Sequence, residues 1–325
     1  MIVVTGGAGF IGSNVVASVE AEDDIAVCDW IDDDKRPNLA AHRVNEVVSP
    51  DSLFEFLADR ASDIEFVIHM GANSSTTDPD VDRVFHYNLD FSDALWRWCV
   101  AQRVRLIYAS SASTYGDGSG GFEDRQDREF LTTLRPLNAY GLSKHAFDMR
   151  VARWIEEEQP TPPQWAGLKF FNVYGPNEYH KGDMMSLVAK MVPVIERGEV
   201  VRLFRSHKPG YRDGEQLRDF VYVKDVIAVI DWLRANPGVN GLFNVGSGKA
   251  RSFLDLTLAT FDALGAEPRI EFVDMPEHLR DRYQYFTEAP LDKIRSAGFE
   301  RPATGLEEGV RDYVLGYLKD GRGYA

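Results

Sequence analysis

The stretch that most constrains this chain is its start, where an apolar run, Ile2–Thr5, breaks on Gly6-Gly7-Ala8-Gly9-Phe10-Ile11-Gly12 and gives way to a helical pattern. Glycines three apart behind a strand permit a tight turn at Gly6, close backbone approach to a diphosphate at Gly9, and close helix–sheet packing at Gly12. The helix predicted over Gly12–Glu20 turns Val15, Val16 and Val19 inward, with Ile11 just before it. Its unpaired N–H groups face the turn, where an anion is favoured. A glycine triplet alone is weak evidence and also describes a purely structural turn. The strand–turn–helix setting, and Asp29 at the end of a second predicted strand (Ile25–Asp29), favour a dinucleotide site.

The alternation continues. Strands are predicted over Glu65–His69 (EFVIH), Leu106–Ala109 (LIYA) and Gly167–Asn172 (GLKFFN). Helices are predicted over Ser52–Arg60, Val84–Gln102 and Tyr140–Glu158, with a proline-rich connector over Gln159–Gln164. Short β-branched strands separated by helices imply a parallel, doubly wound sheet buried on both faces. Beyond Asn172 the pattern loosens: helices over Ser186–Arg197, Lys224–Ala235, Ser252–Leu264 and Leu306–Leu318, short strands over Asp219–Tyr222, Leu242–Val245 and Arg269–Val273, and an exposed loop over Arg205–Leu217.

With 325 residues, two lobes are expected. Two cysteines outside any CxxC pair, Cys28 and Cys99, exclude a disulfide scaffold and read as buried thiols in a reducing compartment. A net charge of -15 argues against nucleic acid and anionic membrane surfaces as partners. The sequence starts directly on MIVVTGG without a leader pattern and has no membrane-spanning apolar run, so a cytoplasmic location is expected. The seven histidines show no HxH or HExxH spacing, so no metal site is expected.

Asp29 is suited to accept from a ribose 2′-hydroxyl, which favours NAD, whereas Lys35 and Arg36 are suited to a 2′-phosphate, which favours NADP; the sequence leaves both open. Tyr140 and Lys144 form a YxxxK pair whose spacing puts them on one helix face. An ammonium beside a phenol is expected to lower the tyrosine pKa and suit it to exchange a proton with a substrate hydroxyl. Ser110 and Ser111 end the LIYASS run at the carboxyl edge of the sheet, where Ser111 can bond the reacting oxygen. Each signal has a bland explanation: a surface Tyr–Lys pair, or a serine capping a turn. Their order along one chain is what a hydride-transfer enzyme requires.

TGGAGFIG, YASSASTYG, YGLSK and FNVYGP resemble the extended short-chain dehydrogenase/reductase superfamily. HMGANSSTT (69–77), NAYGLSK (138–144), FFNVYGPNEYHKGDM (170–184), RDFVYVKDV (218–226), FNVGSGKARSF (243–253) and RYQYFTEA (282–289) further resemble the ADP-L-glycero-D-manno-heptose 6-epimerase family. The resemblance implies an α/β fold, a Rossmann-type doubly wound parallel sheet with a smaller mixed α/β substrate lobe. It places the dinucleotide in residues 1–172 plus about 219–246, and the nucleotide sugar, ADP-heptose, in 173–218 plus about 247–325. The implied reaction is inversion at C6″ through a transient ketone on a bound NADP, with NAD as the other option, in lipopolysaccharide core precursor synthesis. Tyr140 and Lys181 are the implied bases on opposite sugar faces, with Ser111 and Lys144 assisting. Implied cofactor contacts are Gly6, Gly9, Phe10, Ile11, Gly12, Asp29, Trp30, Lys35, Arg36, Gly71, Ala72, Asn73, Ser74, Asn88 and Val173, besides Tyr140 and Lys144. Implied substrate contacts are Ser111, Asn172, Lys181, Asp183, Lys190, Phe204, Arg218 and Tyr283. A homo-oligomer is implied, with a pentamer as the candidate assembly.

The chain departs from the family pattern at Trp30, Asp183 and Lys190, and in a longer loop over 205–217. Rival readings are a UDP- or GDP-hexose epimerase or reductase, which needs Tyr140, Lys144 and Ser111 but not Lys181, and a silent nucleotide sensor on the same fold. A dehydratase needs an Asp-Glu pair where Ala112-Ser113 stand.

Overall fold

The computed structural model describes residues 1–21, 23–280, 283–319 and 323–325; Arg282, which heads RYQYFTEA, lies outside the described residues. In chain order the strands are β1 (Ile2–Thr5), β2 (Ile25–Cys28), β3 (Glu46–Val48), β4 (Phe66–His69), β5 (Arg105–Ser111), β6 (Trp165–Phe170), β7 (Asn172–Tyr174), β8 (Val201–Phe204), β9 (Leu217–Tyr222), β10 (Gly241–Val245), β11 (Ala250–Ser252) and β12 (Ile270–Val273).

Seven of these form the main sheet in the order β10-β6-β5-β4-β1-β2-β3, with every pairing parallel. Successive side chains of a strand point to opposite faces, and both faces here are apolar. Val3, Val67 and Leu106 pack under Leu95, Trp96, Phe147 and Trp154 of the helices Phe91–Gln102 and Ala139–Glu156. Ile2, Val4, Ile68 and Ile107 pack under Val15, Val16 and Val19 of the helix Phe10–Val19 and under Val226, Ile230 and Leu233 of the helix Val223–Ala235.

Strand order reverses between β1 and β4, which opens a crevice at their carboxyl ends. There Thr5 ties the two strands: its carbonyl accepts from Met70 N at 3.0 Å and its hydroxyl from Gly71 N at 3.1 Å.

The smaller sheets are β11-β9-β7, with β9 antiparallel to β11 and parallel to β7, and the parallel pair β12-β8. The first packs with the helices Leu187–Glu196, Phe253–Leu264 and Leu306–Tyr313 around Val188, Val192, Leu256, Val310 and Tyr313, whereas β12-β8 packs on Met191, Ile195 and Phe261 of the first two of these helices.

The structure corrects several predicted boundaries. The strand predicted over Gly167–Asn172 is Trp165–Phe170; Phe171 N still donates to Val245 O at 3.0 Å, but the chain then leaves the sheet and Asn172 begins β7. The helix predicted over Val84–Gln102 is broken: a short helix Val81–Phe85, capped by the Asp80 carboxylate, passes through a π-turn at His86–Asp90 before Phe91–Gln102. The strands β3, β7, β8 and β11 were not predicted; each is short, and β3 is a partly exposed edge strand.

Candidate active site

The first turn is built as its glycines require. Gly6 has φ +65°, and a Cβ there would stand 2.6 Å from Gly71 N; a Cβ at Gly12 would collide with the Gly6 carbonyl. Gly9 N donates to Gly6 O at 2.9 Å, and Gly9 leaves the start of the helix Phe10–Val19 without a side-chain cap. The first-turn N–H groups thus face the crevice without competition from a capping oxygen.

Asp29, buried at the end of β2, accepts from Ala8 N at 3.1 Å and from Lys35 Nζ at 2.8 Å. Arg36 stands apart, exposed, 3.8 Å from Asp33. Trp30 is 43% exposed and meets Tyr87 edge-on at 4.9 Å. Asn38, which the sequence reading missed, holds the loop from below: its Nδ2 donates to Ala8 O at 2.8 Å and to Asn177 O at 3.2 Å.

Past β4, Gly71 and Asn73 are half-buried, while Ala72 and Ser74 are exposed. Asn88, in the π-turn, accepts from Asn73 N at 2.8 Å and donates to Asn73 O at 3.0 Å and Ser143 Oγ at 2.9 Å. Ser143 Oγ in turn donates to Tyr140 O at 2.8 Å. A single asparagine therefore locks the 71–74 loop to the helix carrying Tyr140 and Lys144. π-Turns recur at functional sites because they reposition one side chain.

The helix Ala139–Glu156 starts where the Asn138 side chain accepts from Gly141 N at 2.8 Å. Tyr140 is half-buried, with its phenol near Ser111 at the end of β5. Ser111 Oγ also accepts from Ser113 N at 3.1 Å. Burial pushes the Tyr140 phenol up, and the Ser111 contact opposes this. Here the structure departs from expectation, since no lowering of the phenol by Lys144 is found. Lys144 is itself 2% exposed and has no hydrogen-bond or carboxylate partner among the described residues. Burial brings its ammonium down to about 8, with the Asp148 carboxylate opposing. His69, at the end of β4, is neutral, pushed down to about 3 by burial and by Lys144.

The second half of the chain supplies three cations and an aromatic set. Lys181 lies in the 3₁₀ segment Tyr179–Met184, kinked at Gly182 (φ 51°), with Nζ 5.1 Å from the centre of the Phe10 ring. Burial lowers its pKa, Glu178 opposes this, and Lys190 adds to it. Lys190 donates to the Asp183 carbonyl, and the Asp183 side chain is exposed. Asn172 is exposed and Val173 half-buried on β7.

Arg218 on β9 is 7% exposed, its guanidinium 5.2 Å from the centre of the Tyr283 ring and 5.6 Å from that of Phe253. It donates to Leu217 O at 2.8 Å and has no carboxylate partner among the described residues. The ion pair with an aspartate that the sequence also allowed does not form, because Asp219 is saturated by Ser247, Gly248 and Ala289. Phe204 meets Tyr283 edge-on at 6.4 Å. Thr76 Oγ1 lies 3.9 Å from Met184 Sδ, and Gln284 Nε2 donates to Gly116 O at 2.6 Å, so loops from the two halves touch around the crevice.

The residues suit a nicotinamide dinucleotide. The glycine turn leaves no room for a Cβ, the first-turn N–H groups are uncapped, and Lys144 is a buried cation without an ion-pair or hydrogen-bond partner among the described residues.

Comparison with known proteins gives the same picture. The NAD dependent epimerase/dehydratase family matches residues 2–246. The chain is 49% identical over 323 residues to the ADP-L-glycero-D-manno-heptose-6-epimerase of Nitratidesulfovibrio vulgaris (strain DP4), covering 98% of each chain. It is 45% identical over 329 residues to the enzyme of the same name from Fusobacterium nucleatum subsp. nucleatum, again covering 98% of each. Among solved structures, the Helicobacter pylori ADP-L-glycero-D-manno-heptose-6-epimerase superposes with a TM-score of 0.79 at 26% identity, over 97% of this chain and 95% of that one.

Proposed function

The chain belongs to the NAD dependent epimerase/dehydratase family, and from that premise we propose that it inverts C6″ of ADP-D-glycero-D-manno-heptose to give ADP-L-glycero-D-manno-heptose, in lipopolysaccharide core precursor synthesis. A nicotinamide dinucleotide held by the glycine turn and Lys144 would supply reversible hydride transfer at the carbinol carbon, which is what inversion through a ketone requires. The observation that carries the reading is the placing of Tyr140 beside Ser111 at the carboxyl edge of the main sheet, one helical turn from Lys144, which has no ion-pair or hydrogen-bond partner among the described residues.

Tyr140 Oη exchanges a proton with the sugar oxygen on one face, and Ser111 Oγ orients that oxygen. Lys144 Nζ would hold the ribose hydroxyls of the dinucleotide. Lys181 Nζ, held against the Phe10 ring, returns a proton on the opposite face. Arg218, stacked between Tyr283 and Phe253, grips the substrate diphosphate with its planar fork. Asn172, Phe204, Asp183 and Lys190 complete the substrate wall. Residues 1–172 with about 219–246 hold the dinucleotide, and the remainder holds the nucleotide sugar. The dinucleotide of this reading is NADP: a lysine, Lys35, paired with Asp29 supports a 2′-phosphate there, whereas an Asp29 released from it would suit NAD. The enzyme works as a cytoplasmic homo-oligomer.

The test is to incubate the purified enzyme with ADP-D-glycero-D-manno-heptose and read the C6″ configuration by NMR. The L-glycero product is expected, and an unchanged substrate rejects the proposal. Denaturing the protein and assaying the released dinucleotide for a 2′-phosphate decides between NADP and NAD. A Lys181→Met variant at full turnover would favour the UDP- or GDP-hexose reading over this one.

A further inference from the structure

Four residues beyond Lys144 on the same helix face stands Asp148, which the proposed chemistry does not use. Its side chain and that of Lys169 on β6 are both fully buried, and Lys169 Nζ lies 2.7 Å from Asp148 Oδ2. The pair is the hub of a network. Ser110 Oγ donates to Asp148 Oδ2 at 2.7 Å, and the Tyr108 hydroxyl donates to Oδ1 at 3.2 Å. Lys169 Nζ donates to Thr114 Oγ1 at 2.7 Å, and Thr114 Oγ1 donates to the Ser111 carbonyl at 2.8 Å. Lys169 also stands 4.9 Å over the Tyr115 ring. The network thus reaches the helix that carries Tyr140 and Lys144 on one side, and the backbone and neighbour of Ser111 on the other.

A dry ion pair is a poor way to add stability, because desolvating both charges offsets most of their attraction and an apolar pair of similar size does as well. We propose that Lys169 and Asp148 are positioning residues: the pair fixes Ser111 relative to the Tyr140–Lys144 helix face and places a fixed negative charge one turn from Lys144. This rests on the roles proposed above for Tyr140, Lys144 and Ser111. The titratable groups around Lys144 are Tyr140, His145 and Asp148 on its own helix and neutral His69 from β4, with Tyr108 from β5 and Lys169 from β6 behind Asp148. Of these, Asp148 supports the ammonium. Without it, burial acts unopposed, the ammonium is lost at lower pH, and the alkaline limb of kcat moves toward acid.

The test compares holoenzymes carrying Asp148→Asn, Lys169→Arg, Lys169→Met and the pair Asp148→Asn/Lys169→Met, with Tyr140→Phe as control. Melting temperature, KM, kcat and the pH dependence of kcat are read for each. The double variant removes both charges, so it should melt close to wild type. Its kcat should nevertheless stay down about tenfold or more with KM unchanged, since small misplacements of reacting groups cost that much. Recovery of kcat and of the alkaline limb together with the melting temperature overturns the proposal, because the pair is then only a fastener. If the double variant does not fold, the singles decide. Lys169→Arg, which keeps the ion pair, should leave the limb in place while Asp148→Asn moves it; coincident limbs overturn the proposal. An inactive Tyr140→Phe with an unmoved Asp148→Asn limb defeats this inference alone, whereas an active Tyr140→Phe defeats the catalytic reading beneath it.

Discussion

Lys144 is the residue on which sequence and structure bear most differently. The YxxxK spacing identified it, together with Tyr140 and, through the strand-end serines, Ser111. Its electrostatic state was hidden, because burial belongs to the assembled fold and not to spacing. The folded ammonium titrates at about 8 against an ordinary 10.5, so between those values the unfolded chain binds more protons than the native one. Stability therefore rises as pH climbs through that window, and below it the buried charge costs on the order of 3 kcal/mol. Lys144→Met should melt higher than wild type near neutral pH, lose the climb above pH 8, and be inactive; denaturation curves at neutral and alkaline pH check this. Asp148 was in principle legible as the next step of the same four-residue spacing. Lys169 was not, since nothing local ties a mid-strand lysine to a helix that precedes it in the chain.

At the scale of elements, periodicity located every long helix and the central strands, because a doubly buried strand and an amphipathic helix each leave a strong apolar pattern. It failed at β3, β7, β8, β11 and the π-turn. The short strands are specified by their neighbours: β3 is set by pairing with β2, and β8 by pairing with β12. The glycine turn was fully legible, because sterics at Gly12 act within one turn of chain. Gly12→Ala drives a methyl into the Gly6 carbonyl, so the purified variant should carry no released dinucleotide on denaturation while the wild type does. Asn138 closes the start of the helix bearing Tyr140 through Gly141 N. Asn138→Ala should cost about 1 kcal/mol in denaturant unfolding, the usual worth of such a cap.

At the scale of the whole molecule, the lobes touch around the crevice through Thr76–Met184 and Gln284–Gly116, and Arg218 lies buried on β9 with aromatic rings from later in the chain. Long-range placement of this kind was legible only through family resemblance: alone, Arg218 is one arginine among several. Arg218→Lys keeps charge but loses the planar fork, so KM for the nucleotide sugar should rise about tenfold or more with kcat little changed. Initial-rate kinetics would read this, and an unchanged KM would remove Arg218 from the substrate contacts. The acidic whole, at -15, makes a local cation of this kind necessary for any diphosphate ligand. The outward-facing Trp30 has a practical consequence. Of six tryptophans it alone is exposed, and it directly follows Asp29, the carboxylate proposed to face the adenosine ribose. The protein therefore carries its own optical probe: indole emission should report arrival and departure of the adenosine moiety in real time, without label or turnover, and Trp30→Phe should silence it.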